Sequence, residues 1–128
     1  MVSNPVLDSS AVLAFLFGEP GADMVLRHGN GAVMSAVNYS ETLAKAADRG
    51  LPLADVKRHL AELQWAVIPF DLPVAERAAG FRQSTRDLGF SFADRACLAT
   101  AAAHGAPVLT ADRDWARVDL GIDVILIR

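Results

Sequence analysis

Residues 91–115, SFADRACLATAAAHGAPVLTADRDW, decide the fold. The run of alanine and leucine at its centre reads as a buried helix over 91–104, ended by Gly105. APVLTA at 106–111 follows at once as a short apolar strand. Helix, glycine and apolar strand together make half of a unit of a parallel sheet. The same stretch carries acids at both ends: Asp94 in the first helical turn, Asp112 and Asp114 just past the strand. Carboxylates at both edges of a buried-looking unit need an explanation, which the rest of the chain supplies.

The alternation continues on either side. NPVLD (4–8) predicts a short buried strand ending in an acid, and SSAVLAFLFGEPG a helix, apolar all round, stopped by Gly18 and Pro20. Residues 21–28 predict a second short helix, and GAVMSA (31–36) a strand. NYSETLAKAADRG (38–50) predicts a helix with Asn38 as N-cap and Gly50 beyond its end. In LPLADVKRHLAELQW (51–65), Leu53, Val56, Leu60 and Leu63 share one helical stripe. AVIPF (66–70) predicts a strand, and residues 73–88 a helix with Val74, Ala78, Phe81, Thr85 and Leu88 inward. A helical turn at 113–117 and a last strand, DVILI (123–127), complete the pattern. The expected fold class is α/β: about five mainly parallel strands with helices on both faces.

Composition sets the limits. A chain of 128 residues predicts a single domain over 1–128. With 52% apolar and 21% charged residues it is globular and not disordered. One cysteine, Cys97, excludes a disulfide scaffold and suits a reducing compartment. AVLAFLF (11–17) is far too short to span a bilayer, so no membrane association and a soluble, cytoplasmic protein are expected. A formal charge of −3 argues against a strongly basic nucleic-acid binder, although 12 Lys and Arg residues leave room for local basic patches. His28, His59 and His104 show no metal-ligand spacing with one another or with Cys97, which reads as a small core residue.

In doubly wound parallel sheets, ligands sit outside the carboxyl ends of the strands. Four acids fall at such places. Asp8 ends the first strand, Glu41 opens the helix after the second, Asp94 opens the helix before the fourth, and Asp112 follows the fourth. Each has a plain structural reading. Asn38-x-x-Glu41 and Ser91-x-x-Asp94 have the spacing of capping boxes, Asp8 is placed to cap the helix after it, and Asp112 suits a turn. Taken together, four converging carboxylates would repel one another and raise at least one pKa. A hard divalent cation, Mg²⁺ or Mn²⁺, relieves that repulsion and suits oxygen ligands better than zinc does.

Three segments carry a resemblance: VLDSSAVLAFLFGEPGA, SAVNYSETLAKAADRG and FSFADRACLATAAAHGAPVLTADRDW. In order and spacing they resemble the successive blocks of the PIN-domain proteins, and more narrowly the VapC toxins of bacterial toxin–antitoxin pairs. The resemblance covers nearly the whole chain. It implies that Asp8, Glu41, Asp94 and Asp112 are the catalytic, metal-holding acids, with Asp114 close to the variable fourth position. It places Ser9 and Thr110 at hydroxyl positions bordering the site.

The resemblance further implies a Mg²⁺- or Mn²⁺-dependent endoribonuclease that hydrolyses RNA to a 5′-phosphate and a 3′-hydroxyl. Lys45 and Arg49, Arg82 and Arg86, Arg95 and Arg113 are candidates for contacting RNA phosphates, with solvated ion-paired helix faces as the plain alternative. Tyr39 is a candidate for base stacking; Trp65 and Trp115 read as core or interface. Phe15, Leu16, Phe17, Met24 and Val25 are core by default and a candidate groove for a partner segment. The family implies such a partner, a VapB-like antitoxin, together with a homodimer and a larger toxin–antitoxin assembly. A response-regulator receiver would need paired early acids and a late lysine, and a haloacid-dehalogenase-type phosphatase would need an acid where Ser10 stands. The remaining alternative is a PIN fold that binds RNA or protein without cutting.

Overall fold

The computed structural model describes residues 4–128. Strands form in short, mainly apolar runs: β1 Val6–Leu7, β2 Val33–Ser35, β3 Ala66–Ile68, β4 Val108–Thr110 and β5 Val124–Leu126. They join in the order β3-β2-β1-β4-β5. Every pairing is parallel, so the expected sheet is present and is parallel throughout. Around it lie α1 Ser9–Phe17, α2 Ala22–His28, α3 Ala36–Asp48, α4 Leu53–Glu62, α5 Leu72–Gly80, α6 Arg82–Thr85 and α7 Phe92–His104, with 3₁₀ turns at Arg86–Leu88 and Arg113–Arg117.

The register explains why the strands read as unbroken apolar runs. Val6 aligns with Val33 and Val108, and Val108 with Val124. Strand side chains alternate between faces, so this row of valines shares one face. There it packs with Cys97, Leu98 and Ala101 of α7, and with Phe90 and Trp115. The next row, Met34, Leu7, Leu109 and Ile125, turns the other way onto Ala11, Val12, Val25, Ala46, Val56 and Leu60. Both faces are covered over the four strands β2, β1, β4 and β5, while at the edge strand β3 Ala66 and Val67 are exposed. Each fully buried aliphatic side chain contributes roughly 1.5–3 kcal/mol. Ala99, buried on another side of α7, receives Val74 and Ala78 of α5.

Gly21 marks one close approach. Its φ is 102°, and a Cβ there would lie 2.8 Å from the carbonyl oxygen of Ile127. The chain after β5 therefore passes over the start of α2 only because residue 21 has no side chain.

Some boundaries differ from those predicted. Helix α3 begins at Ala36, and its cap is Ser35, which accepts from the Val37 N–H at 3.2 Å. Asn38 is consequently an interior, fully buried residue and not the cap. A capping residue at the end of β2 lets the helix start three residues sooner than a cap at Asn38 would. The helix expected over 73–88 breaks into α5, α6 and a 3₁₀ turn. The break follows Gly80, a poor helix former, where the Phe81 N–H reaches back only to Ala78 O. Leu53, placed on the buried stripe of α4, is 53% exposed, so the covered part of that stripe starts at Val56. The strands are also shorter at their ends than the apolar runs that encode them. Among the described residues no single helix is long and apolar enough to cross a membrane.

The chain builds outward from β1 through β2 to β3, then crosses to the other side of β1 for β4 and β5. The boundary between β1 and β4 is therefore the switch point, where a crevice opens at the carboxyl ends of the strands.

Candidate active site

Asp8 follows β1 directly at that switch point and is 3% exposed. It occupies the N-cap position of α1, but its side chain makes no capping hydrogen bond. Oδ2 instead accepts from Ser10 Oγ at 2.6 Å and from Thr110 Oγ1 at 2.8 Å. The direction of both bonds is decided by chemistry. Ser10 Oγ accepts the Ala111 N–H at 2.9 Å, and Thr110 Oγ1 accepts the Asp112 N–H at 3.0 Å. Each hydroxyl then has one proton to give, and Asp8 receives both. Burial pushes the Asp8 carboxyl up to about 6, the two hydroxyls pull it down, and the charges of Asp94 and Glu41 raise it further.

Glu41 sits in α3, where Oε1 accepts a short hydrogen bond from Ser9 Oγ and Oε2 lies 3.4 Å from Lys45 Nζ. Asp94 is at the N-terminus of α7 in a complete capping box. Its N–H donates to Ser91 Oγ at 3.1 Å, and Oδ2 accepts from the Ser91 N–H at 2.9 Å. Burial raises the Asp94 carboxyl, Ser91 offsets part of that, and the charges of Glu41 and Asp112 add to the rise. Asp112 caps the 3₁₀ turn through the Asp114 N–H at 3.0 Å. The capping box foreseen at Ser91 and Asp94 is thus present, and Asp112, expected as a turn residue, caps the 3₁₀ turn, whereas Glu41 and Asn38 form no capping box.

The four acids form one electrostatic cluster. Asp8 feels Asp94 and Glu41, and Asp94 feels Glu41 and Asp112. Asp114 stands apart, paired with Arg117 at 3.3 Å and half exposed. The donor set is all carboxylate and hydroxyl oxygen, the chemistry that suits a hard divalent cation. As the side chains stand, no three acidic, His or Cys groups among the described residues are close enough to grip an ion. Ser9, Ser10, Thr110 and Ser91 hold the carboxylates instead.

The basic candidates divide. Arg49 lies over the Phe17 ring, 3.7 Å from its centroid, and pairs with Glu19 at 3.4 Å. A candidate RNA contact and a candidate groove residue therefore cover each other. Lys45 is paired with Glu41, and Arg95 Nη1 donates to Phe90 O at 3.0 Å beside the site. Arg82, Arg86 and Arg113 are exposed. Of the groove residues, Val25 is fully buried, while Phe15, Leu16, Phe17 and Met24 are half-buried against the core below. Tyr39 is half-buried, Trp65 gives its N–H to Gly29 O at 2.8 Å, and Trp115 lies wholly in the core. A cavity of about 330 Å³ between Val25, Gly29, Glu62 and Trp65 opens at the strands' other end, away from the acids.

Two contacts at the site are not marked by any motif in the sequence. Ser10 belongs to none, although a hydroxyl two positions after a strand-end acid is well placed to turn back onto it. Asn38 has the spacing of a cap, although a polar residue on the inward face of an amphipathic helix signals a buried contact.

A family model for the PIN domain matches residues 6–120. No curated protein sequence matches the chain significantly. Among solved structures, DNA-bound VapBC from Salmonella typhimurium is similar with a TM-score of 0.76 at 18% identity, covering 100% of both chains. A toxin–antitoxin complex from Klebsiella pneumoniae gives 0.74 at 20% identity, covering 97% of this chain and 98% of that one. VapC20 of Mycobacterium tuberculosis, a sarcin–ricin-loop-cleaving toxin, gives 0.69 at 17% identity, covering 88% and 92%. At these identities the likeness is one of fold.

Proposed function

The chain belongs to the PIN-domain family, and from that premise we propose that it is a metal-dependent endoribonuclease of the VapC toxin type. The observation that carries this reading is the placement of buried Asp8 at the switch point with Glu41 and Asp94 close enough to raise its pKa. Burying an acid beside other acids is unfavourable for folding alone. It makes sense where a cation and an anionic phosphodiester are to be brought together.

Asp8, Glu41 and Asp94 would hold Mg²⁺ or Mn²⁺, with Asp112 completing the set. When bound, such an ion offsets the carboxylate charge, lowers the pKa of a bound water and stabilises the departing oxygen of a phosphodiester. The chain's own groups prepare the place. Ser10 and Thr110 fix the Asp8 carboxylate in one orientation and keep it ionisable despite its burial. Ser9 orients Glu41, and Ser91 orients Asp94. Exposed Arg82, Arg86 and Arg113, with Arg95 beside Asp94, would meet the RNA backbone and make binding salt-sensitive.

The partners belong to the same proposal. Structures of similar fold are toxin–antitoxin complexes, some with DNA. A VapB-like antitoxin, lying over the half-buried Phe15, Leu16, Phe17 and Met24, and a homodimer are the arrangement we propose here. One observation favours a second reading, a PIN fold that binds RNA or protein without cutting: the carboxylates are held by protein donors, and among the described residues no three acidic, His or Cys groups stand close enough to grip an ion.

Cleavage of mixed RNA with Mg²⁺ or Mn²⁺, by wild type and Asp8→Asn, separates the two. Cleavage by wild type that the variant lacks supports the nuclease. Equal behaviour of both proteins removes it.

A further inference from the structure

We propose that Asn38 is a positioning residue that holds Asp94 in place relative to Glu41, an inference that rests on the nuclease reading above. Asn38 is fully buried in α3, one turn before Glu41. Its Nδ2 donates at 3.0 Å to the carbonyl oxygen of Ala93, the residue immediately before Asp94 on α7. One amide thus ties the peptide beside the third acid to the turn that precedes the second. Those two acids feel each other's charge, so their separation determines what they can bind between them.

A second observation says that this contact is not there for packing. Asn38 Oδ1 is buried and has no hydrogen-bond partner. A half-satisfied amide in a core is less favourable than an aliphatic side chain of similar volume. The acceptor gains little either. Ala93 lies inside α7, where its carbonyl also receives the helix's own amide four residues on. The carbonyl does not need the amide, so beyond satisfying Asn38 Nδ2 what the bond adds is orientation. Ser91 grips Asp94 from its own helix, and Asn38 secures that helix to α3. Thr42 Oγ1 donates to the Asn38 carbonyl at 2.8 Å, anchoring the turn from which the amide projects.

The test uses Asn38→Leu, which fills the same space without polar atoms, and Asn38→Ala, which cannot overpack. Metal-free proteins are titrated with Mn²⁺ by calorimetry, unfolded in urea, and followed by hydrogen exchange at the Asp94 and Arg95 amides. Asn38→Leu is expected to unfold at or above the wild-type urea midpoint. Its half-saturating Mn²⁺ concentration should rise about tenfold or more, the scale seen when a supporting partner of a metal ligand is removed. Exchange at the two amides should quicken in both variants. Wild-type Mn²⁺ affinity and wild-type exchange in either folded variant would overturn the assignment, as would weaker Mn²⁺ binding explained by partial unfolding in urea-free buffer. If Asn38→Leu does not fold, Asn38→Ala decides by the same readings. Failure of wild type itself to bind Mn²⁺ or cut RNA overturns the nuclease reading first, and is recognised as such because it precedes any comparison of variants.

Discussion

Thr110 Oγ1 donates a hydrogen bond to Asp8 Oδ2 at 2.8 Å across 102 positions of sequence, joining the ends of β4 and β1. The same hydroxyl receives the Asp112 N–H at 3.0 Å, so it also places the fourth acid. Thr110→Val keeps the shape and removes the donor. Asp8 then loses one of the two bonds that lower its pKa. The variant should show a higher Asp8 pKa by carboxyl NMR, a stability loss of about 1–3 kcal/mol above pH 7, and weaker Mn²⁺ binding. An unchanged Asp8 titration would show that Ser10 alone holds the carboxylate.

Asp8 also sets a pH dependence. Its pKa rises from 3.8 to about 6 on folding, chiefly through burial. Between these values the folded state binds more protons than the unfolded one. Stability of the metal-free protein should therefore fall as pH rises from about 4 to about 6, then level off, with a total loss on the order of 3 kcal/mol. Asp8→Asn should remove most of that slope and be more stable than wild type at pH 7.5 in chelator. Urea titrations at pH 4.5, 5.5 and 7.5 check the sign. A wild type that gains stability over this range would contradict the burial of a charged Asp8.

Capping and chemistry can be separated at α7. Ser91→Ala removes the cap hydroxyl but keeps the backbone N–H that holds Asp94 Oδ2, so a stability loss of about 1 kcal/mol is expected with cleavage largely kept. Asp94→Asn should lower cleavage on the order of 100-fold or more, beyond the loss typical for a supporting partner. Comparable activity in the two variants would mean that Asp94 is a capping residue only.

Asp112 and Asp114 make a second contrast. Asp94 feels the charge of Asp112, while Asp114 turns to Arg117. Asp112→Asn preserves an oxygen for the cap but removes the charge, so RNA cleavage and Mn²⁺ affinity should drop with little change in Tm. Asp114→Asn breaks only an exposed pair worth roughly 0–1 kcal/mol and should cleave like wild type. The reverse result would move the fourth position to Asp114.

By itself the sequence determined the layered architecture. Apolar runs such as APVL at 106–109 suit a sheet buried on both faces, and glycines such as Gly18 and Gly105 end the helices between them, so a parallel sheet covered on both sides follows from local pattern. It also singled out Asp8, Glu41, Asp94 and Asp112, because strand ends are where such folds place their ligands. Tertiary structure decided what these acids touch. The hydroxyl pair on Asp8 joins residues about a hundred positions apart, and no local periodicity encodes such a meeting. Asn38 looked like a cap because a cap needs only neighbours in sequence. It became an interhelical tie because Ser35 had already started the helix and α7 had packed against it. Nor did the spacing of charges reveal that Arg49 would settle over Phe17. Pairing of side chains depends on which faces pack, and that is settled only when the whole core forms.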